Sequence, residues 1–250
     1  MHGGDVDLKE ASAAPCRHPW ETARRTHFLR LLLPALAVDA VEILDFGAGD
    51  GWFAGELARA RGGLRLTCVD ANYREEDLRR LQETHPRLKF GSRLEGRDFD
   101  AVLALDVLEH LEDDAFAFHR LVEAGRPGAL LLVSVPGWPR LFGPHDRYLG
   151  HFRRYRLRGL TALATAEPVD ILRRGGLFTS LLLGRCLLRW LRVGEGKGPD
   201  RSDAALWRGG RTLAAIVHAC LTVDGLVHRI AAKLGVPLPG LSWWILCRKR

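Results

Sequence analysis

Methionine is nearly absent from this 250-residue chain, with Met1 alone, and tyrosine is sparse, with three residues. No run of 18 uncharged apolar residues occurs, so nothing in the sequence is expected to span a bilayer. The stretch from Met1 to Ala14 is polar and acidic and lacks the basic-then-apolar order of a signal peptide. The five cysteines, Cys16, Cys68, Cys186, Cys220 and Cys247, are scattered, with no CxxC pair and no zinc spacing. That excludes a disulfide framework and suits a reducing cytosol. An excess of acid is also missing: the formal net charge is +7 and the pI about 9.5. The balance points to an anionic partner or surface, although arginine-rich composition alone produces it.

What is present is an ordinary globular composition, 47% apolar and 27% charged, at a length that suits one α/β domain. The chain is organised around Val41 to Ala54, VEILDFGAGDGWFA. Its β-branched start reads as a buried strand ending in a carboxylate, Asp45. Gly47, Gly49 and Gly51 then form a tight turn, and Trp52 to Ala60 reads as a helix. Unpaired N–H groups at such a helix start suit a polar ligand. Gly49-x-Gly51-x-x-Ala54 also fits a dinucleotide fingerprint. Against that stand the carboxylate at the strand end, unwelcome to a pyrophosphate, and bulky Trp52 where a small residue belongs.

The acidic residue followed by GxGxG resembles the first motif of class I S-adenosylmethionine (SAM)-dependent methyltransferases. The resemblance implies that Asp45, Gly47, Ala48, Gly49 and Gly51 pass close to the methionine part of SAM. Leu64 to Asp70 reads as a second strand. Its Asp70 lies about twenty residues beyond the glycines, where a carboxylate bonds the ribose hydroxyls and Ala71 follows at the rim. Residues 73–84 read as a charged helix and Leu88 to Phe90 as a third strand. Gly91-Ser92 then stands where the family often carries an acid facing adenine, leaving Ser92 or a backbone group for that contact.

Asp98 to Leu111 reads as a fourth strand ending near Asp106, then a turn into a helix from Asp113. Its run Asp106-Val107-Leu108-Glu109-His110-Leu111 is similar to the DVLEHL segment of small-molecule methyltransferases of the ubiquinone-biosynthesis type. The resemblance places Asp106, Val107 and Leu108 against the cofactor. Glu109 and His110 are expected to hold the turn. Pro127-Gly128 is expected to break the chain before a buried fifth strand, Ala129 to Pro136. Alternating strands and helices with continuous apolar strands indicate a parallel sheet covered on both faces. Ligands on such sheets sit at the strands' carboxyl ends.

Gly137 to Tyr155 is too long and too aromatic for an ordinary connection. It resembles an insertion in bacterial class I methyltransferases and reads as a loop over the active site. His145 or His151 is a candidate general base, since a neutral imidazole accepts a proton near pH 7, and Asp146 is a candidate to orient one of them. Arg153 and Arg154 are candidates for an anionic substrate. The bland alternative is that these groups pair among themselves. No metal is expected: His145, Asp146 and His151 lack a fourth ligand at zinc spacing.

Helix 156–166 and a sixth strand, Val169 to Gly176, follow. Arg185, Arg189 and Arg192 then recur at helical spacing among leucines over 177–193, a basic amphipathic pattern that can lie in a membrane interface. A polar break, Gly194 to Asp203, precedes a second apolar helix, Leu213 to Leu234. These helices either pack as a cap over the pocket or touch membrane, and both hold if the acceptor is lipid-linked. Upstream, an Arg-rich helix from His18 to Pro34 carries Trp20 as a core residue or as a lid.

The fold expected is a Rossmann-like α/β domain over residues 18–250, behind a disordered tail, 1–17. Its seven-stranded sheet is mostly parallel, with the last strand, Pro239 to Lys249, antiparallel beside the sixth. Helices cover both faces, with an inserted cap at about 177–236. The function expected is methyl transfer from SAM to a small-molecule or lipid-linked acceptor, in the cytoplasm or peripherally at the inner face of the membrane. The rivals are an NAD(P)-dependent oxidoreductase and a non-catalytic membrane-associated module. Nucleic acid is disfavoured, because the arginines are dispersed and the family's Asn/Asp-Pro-Pro-aromatic run is missing after the fourth strand.

Overall fold

A computed structural model describes residues 17–37, 41–191 and 210–250. Seven strands form one sheet in the order β3-β2-β1-β4-β5-β7-β6. They are β1 (Val41–Phe46), β2 (Leu64–Val69), β3 (Leu88–Gly91), β4 (Phe99–Leu105), β5 (Gly125–Pro136), β6 (Val169–Leu177) and β7 (Ser242–Lys249). The first five are mutually parallel, and β7 runs antiparallel between β5 and β6. The helices are α1 (Pro19–Leu32), α2 (Trp52–Ala60), α3 (Glu75–Thr84), α4 (Asp114–Ala124), α5 (Pro144–Tyr148), α6 (Leu157–Thr165), α7 (Thr179–Trp190) and α8 (Arg211–Lys233).

Two buried layers follow from side chains alternating across each strand. Ile43, Leu103, Leu132, Trp244 and Leu246 face one side with Phe28, Leu31 and Leu32 of α1, Leu57 of α2 and Leu221 of α8. Leu44, Val102, Leu131, Val133 and Ile245 face the other with Phe118 and Leu121 of α4 and Leu160 of α6. Burial on both faces is why the central strands read as unbroken apolar runs.

The structure bears on three expectations. Pro127-Gly128 does not break the chain before β5. The strand begins at Gly125, and its register against β4 jumps between Gly125 and Leu130, so the prolyl residue sits in an irregularity that needs no ladder N–H from it. Helix α8 is, among the described residues, the one helix long and apolar enough to cross a membrane. It instead packs one face on α1 and β6, through Leu221, Gly225, His228 and Ala232. The N-terminal helix is both core and cover: Ala23, Phe28 and Leu31 are buried, while Trp20 and Arg24 line the cavity described below.

The two inserted helices are joined at one point. Asp224 of α8 accepts the backbone N–H groups of Thr179 and Ser180 at 3.3 and 2.8 Å, and His228 Nε2 meets Thr179 Oγ1 at 2.9 Å. A carboxylate at the first turn of α7 satisfies donors the helix leaves unpaired. Burial raises Asp224, but bonds from His228 and Ser180 outweigh it and hold the carboxyl down at about 2. Of the tail and cap, residues 1–16, residues 192–209 and with them Arg192 and the expected break at 194–203 lie outside the described residues. Arg17 packs on Trp52, 4.7 Å from the ring, and pairs with Asp50.

Candidate functional site

The carboxyl ends of β1, β4, β5 and β6 open into one cavity of about 550 Å³. That is in the range of small-molecule and cofactor pockets. The wall begins with the turn after β1. Gly47 has φ +72, and a Cβ there would come within 2.4 Å of Val107 Cγ2. Gly49 has φ +55, and a Cβ there would meet nothing within 4 Å. Gly47 is therefore required for packing, whereas Gly49 leaves bare backbone facing the cavity, the cradle an extended ligand needs.

Asp70, at the end of β2, holds this turn from behind. Its Oδ2 accepts the Gly49 N–H at 3.2 Å, and its Oδ1 accepts the backbone and side-chain N–H of Asn72 at 2.9 and 3.0 Å. Tyr73 donates its hydroxyl to the Gly49 carbonyl at 2.6 Å. A carboxylate has about four acceptor positions, so Asp70 Oδ2 keeps one for a further donor. Asp45 lines the cavity and is 3% exposed. Burial pushes its pKa up to about 7, and nearby Asp70 adds to the rise while Arg24 opposes it.

Asp106 closes β4 with φ +59, a conformation that Asp tolerates better than most residues. It accepts Ser134 Oγ at 2.9 Å and pairs with Arg24 of α1 at 2.6 Å. Trp138 after β5 and Phe178 after β6 also have positive φ, +65 and +66. Three non-glycine residues in this region, each strained by about 1–3 kcal/mol, lie at the ligand end of the sheet. Of the ten cofactor residues expected, Asp45, Gly47, Ala48, Gly49 and Asp106 line the cavity. Gly51 caps α2, Asp70 braces the turn and Val107 packs under Gly47. Leu108 is fully buried among α4 and β5 residues, and Ala71 is exposed. Ser92 is exposed and outside the lining.

The opposite wall comes from the segment after β5, folded back by a bridge between Gly137 and Tyr155. Asp146 is fully buried. It accepts Arg154 Nε at 2.6 Å and the Gly143 N–H at 2.9 Å, and it meets His151 Nδ1 at 3.1 Å. Burial pushes this carboxyl up, but bonds from His151 and Arg154 outweigh it and hold it below the usual range. His151 and His145 both line the cavity, and Asp146 orients His151 rather than His145. Of the two arginines considered for an anionic substrate, Arg154 lines the cavity and Arg153 does not, and both have partners within the protein. Arg154 is buried against Asp146 and the Gly137 carbonyl, and Arg153 pairs with Asp114 at 3.0 Å. A buried guanidinium keeps its internal partner, which is the condition for its burial.

Glu109 and His110 are more than turn holders. Glu109 is fully buried on the cavity wall, and neither carboxylate oxygen has a hydrogen-bond partner. Burial, then Asp106, pushes its pKa well above the usual carboxyl range. His110 sits edge-on to His151 with ring centroids 4.5 Å apart, and burial, then His151, lowers its pKa to about 4. Glu109, His110 and His151 each offer one atom within 4.8 Å of the others, a group that could hold a metal ion. The His145-Asp146-His151 set could not, since Asp146 is already filled by Arg154 and Gly143. The sequence signal was the pair's position directly after a strand end. What it lacked was the tertiary contact with His151.

An open, mostly parallel sheet with a bare glycine bend and acids at the ends of β1 and β2 belongs to the Rossmann-like class of folds. The family model described as "Methyltransferase domain" matches residues 20–167. The chain belongs to this family, that of the class I SAM-dependent methyltransferases. It is 33% identical over 106 residues to ubiquinone biosynthesis O-methyltransferase of Methylocella silvestris, a match covering 39% of this chain. The chain spans about two-fifths of that relative's length, 41%. Phosphoethanolamine N-methyltransferase 2 of Haemonchus contortus, solved with SAM, superposes with a TM-score of 0.52 at 17% identity. The match covers 89% of this chain and 52% of that one. The N-methyltransferase NodS of Bradyrhizobium japonicum, solved with S-adenosylhomocysteine, gives 0.50 at 22% identity, over 63% and 79% of the two chains. These structures share the fold.

Proposed function

We propose that this enzyme methylates a hydroxyl of a small-molecule or lipid-linked acceptor held between the glycine bend and His151. The observation that carries this reading is one cavity bearing open backbone at Gly49 on one wall and an Asp146-oriented His151 on the other. When bound, SAM supplies a methyl group activated by a positively charged sulfur. Gly47, Ala48 and Gly49 would pass along it, Asp45 and Asp106 would face its cationic groups, and Asp70 with Ala71 would take the ribose edge. Val107, packed under Gly47, and Gly51, capping α2, fix the shape of the bend, and Leu108 anchors the turn after β4 in the core.

His151 accepts the acceptor proton at Nε2. Asp146, bonded at Nδ1, fixes the tautomer that leaves Nε2 free and stabilises the imidazolium once formed. His145 borders the acceptor. Burial, then Arg185, lowers its pKa, so it stays neutral there. Glu109, held protonated, is a donor toward the acceptor. Positioning in a closed site contributes most of the acceleration, ~7–11 kcal/mol in favourable cases. Residues 18–250 act as one domain, with the 177–236 region forming the far wall of the acceptor space through Phe178, Leu181 and Arg185.

Isothermal titration with S-adenosylhomocysteine and with NAD tests the cofactor. A methyl-labelled SAM assay on catechol-type and isoprenoid-linked phenols tests the acceptor. His151→Ala is expected to lower kcat about 10²–10⁴-fold with S-adenosylhomocysteine affinity little changed. Unchanged kcat would remove the base assignment.

A further inference from the structure

Exposed large apolar side chains are concentrated in one part of this protein. Of the fifteen among the described residues, twelve lie on α7, α8 or the residues directly following them. Ile216, Val223, Val227 and Ile230 form a stripe along α8 at spacings of seven, four and three, and Leu187 and Trp190 extend from α7. Trp190 is 79% exposed. A contiguous apolar patch of this kind marks an interaction surface.

The geometry points to docking of this face on an anionic lipid surface, with both helices lying in the interfacial plane. The opposite side of α8 argues against spanning: Gly225, His228 and Arg229 are buried on the protein, against His27. A helix with one face occupied by its own domain can immerse only the other. Charge selects the partner. Of the basic residues on these helices Arg229 is buried and Arg185 lines the cavity, and the single acid of α7 and α8, Asp224, has its carboxylate bonded inward to Thr179 and Ser180. Arg211 and Lys233, at the ends of the stripe, are exposed. Two copies joined through this face would set like charges together, whereas anionic headgroups complement them.

Helix α7 borders the cavity through Leu181 and Arg185. Docking therefore presents the acceptor space to a molecule embedded in the bilayer. This last step rests on the methyltransferase reading, while the docking itself does not.

Flotation of the full chain with vesicles tests it, using phosphatidylcholine alone and phosphatidylcholine with about one-third phosphatidylglycerol. The wild type is expected to float with the anionic vesicles only. Val223→Glu/Val227→Glu is expected to reduce binding about tenfold or more, and Arg211→Glu/Lys233→Glu to reduce it by a similar factor, with unchanged Tm. Absence of flotation, equal binding to neutral vesicles, or full binding by the valine variant would overturn the proposal. So would a concentration-dependent dimer lost in the valine variant, or a fall of its Tm showing that the chain itself covers the face. S-adenosylhomocysteine titration on the same samples separates the two readings: lost cofactor binding with intact flotation counts against the enzyme site alone.

Discussion

Asp45 offers a test in which stability and binding move in opposite directions. Its carboxyl is 3% exposed, and burial lifts its pKa from 3.8 to about 7. A carboxyl raised in the folded state binds its proton more tightly there than in the unfolded chain. Stability is therefore lost as pH climbs from the unfolded value to the folded one, and the loss is complete above it. An interval of roughly three pH units at ~1.4 kcal/mol each makes the ionised side chain cost ~4 kcal/mol at pH 8. Asp45→Asn removes the titration while keeping the shape. Relative to wild type, the variant should gain about 2–3 kcal/mol between pH 5 and pH 8. In a chain of this size that is a relative rise in Tm of about 4–12 °C. Urea unfolding at both pH values measures it, since the difference between the two proteins cancels every other titrating group. Binding should go the other way: a cationic ligand favours the ionised carboxylate, so S-adenosylhomocysteine and SAM should bind the variant more weakly, SAM the more so. A stability difference independent of pH would refute the argument.

The two glycines of the bend should separate packing from binding. Gly47→Ala meets Val107 at φ +72 and should lose about 2–4 kcal/mol in urea unfolding. Gly49→Ala, with its Cβ in open space at φ +55, should lose only ~1–2 kcal/mol yet abolish S-adenosylhomocysteine binding in titration calorimetry. Asp146→Asn strands a buried Arg154 and should cost about 3–5 kcal/mol, a Tm fall of roughly 6–20 °C by calorimetry. His27 lies between α1 and α8, and burial, then Arg229, depresses its pKa to about 3. The stability it contributes is present above pH 6.5 and lost as pH falls toward 3. His27→Gln, which can still donate to the Gly225 carbonyl, should thus remove ~2 kcal/mol of the loss seen between pH 7 and pH 5.

The glycine bend and its flanking elements were legible because local chemistry dictates them. Strand, bare turn and helix follow from consecutive residues, and α2 spans Trp52–Ala60 as its composition requires. The sheet's parallel half was equally readable, since strands buried on both faces leave unbroken apolar runs. The acceptor side was not. Whether Arg154 faces ligand or Asp146, and whether Glu109 bonds backbone or opens into the cavity, depends on how the segment after β5 folds back over the turn after β4. Those contacts join residues about forty positions apart, such as Phe152 N–H to the Glu109 carbonyl at 2.7 Å, and no periodicity encodes them. Pro127-Gly128 misled for the opposite reason: a local breaker was overruled by the neighbouring strand, which kept the chain paired from Gly125 onward.

The placement of β7 has a bearing on how the molecule assembles. Among the described residues β6 pairs with β7 alone, and that pairing joins Val169 to Lys249 and Leu177 to Ser242, across the whole of α7 and α8. During synthesis β1 to β5 can pair in succession, while β6 waits for a wedge that emerges only after α8. Phe178 and Leu181 take up their stations on the cavity only after that closing stroke. Deletion of β7 should consequently leave a five-stranded body with its acceptor wall hanging free.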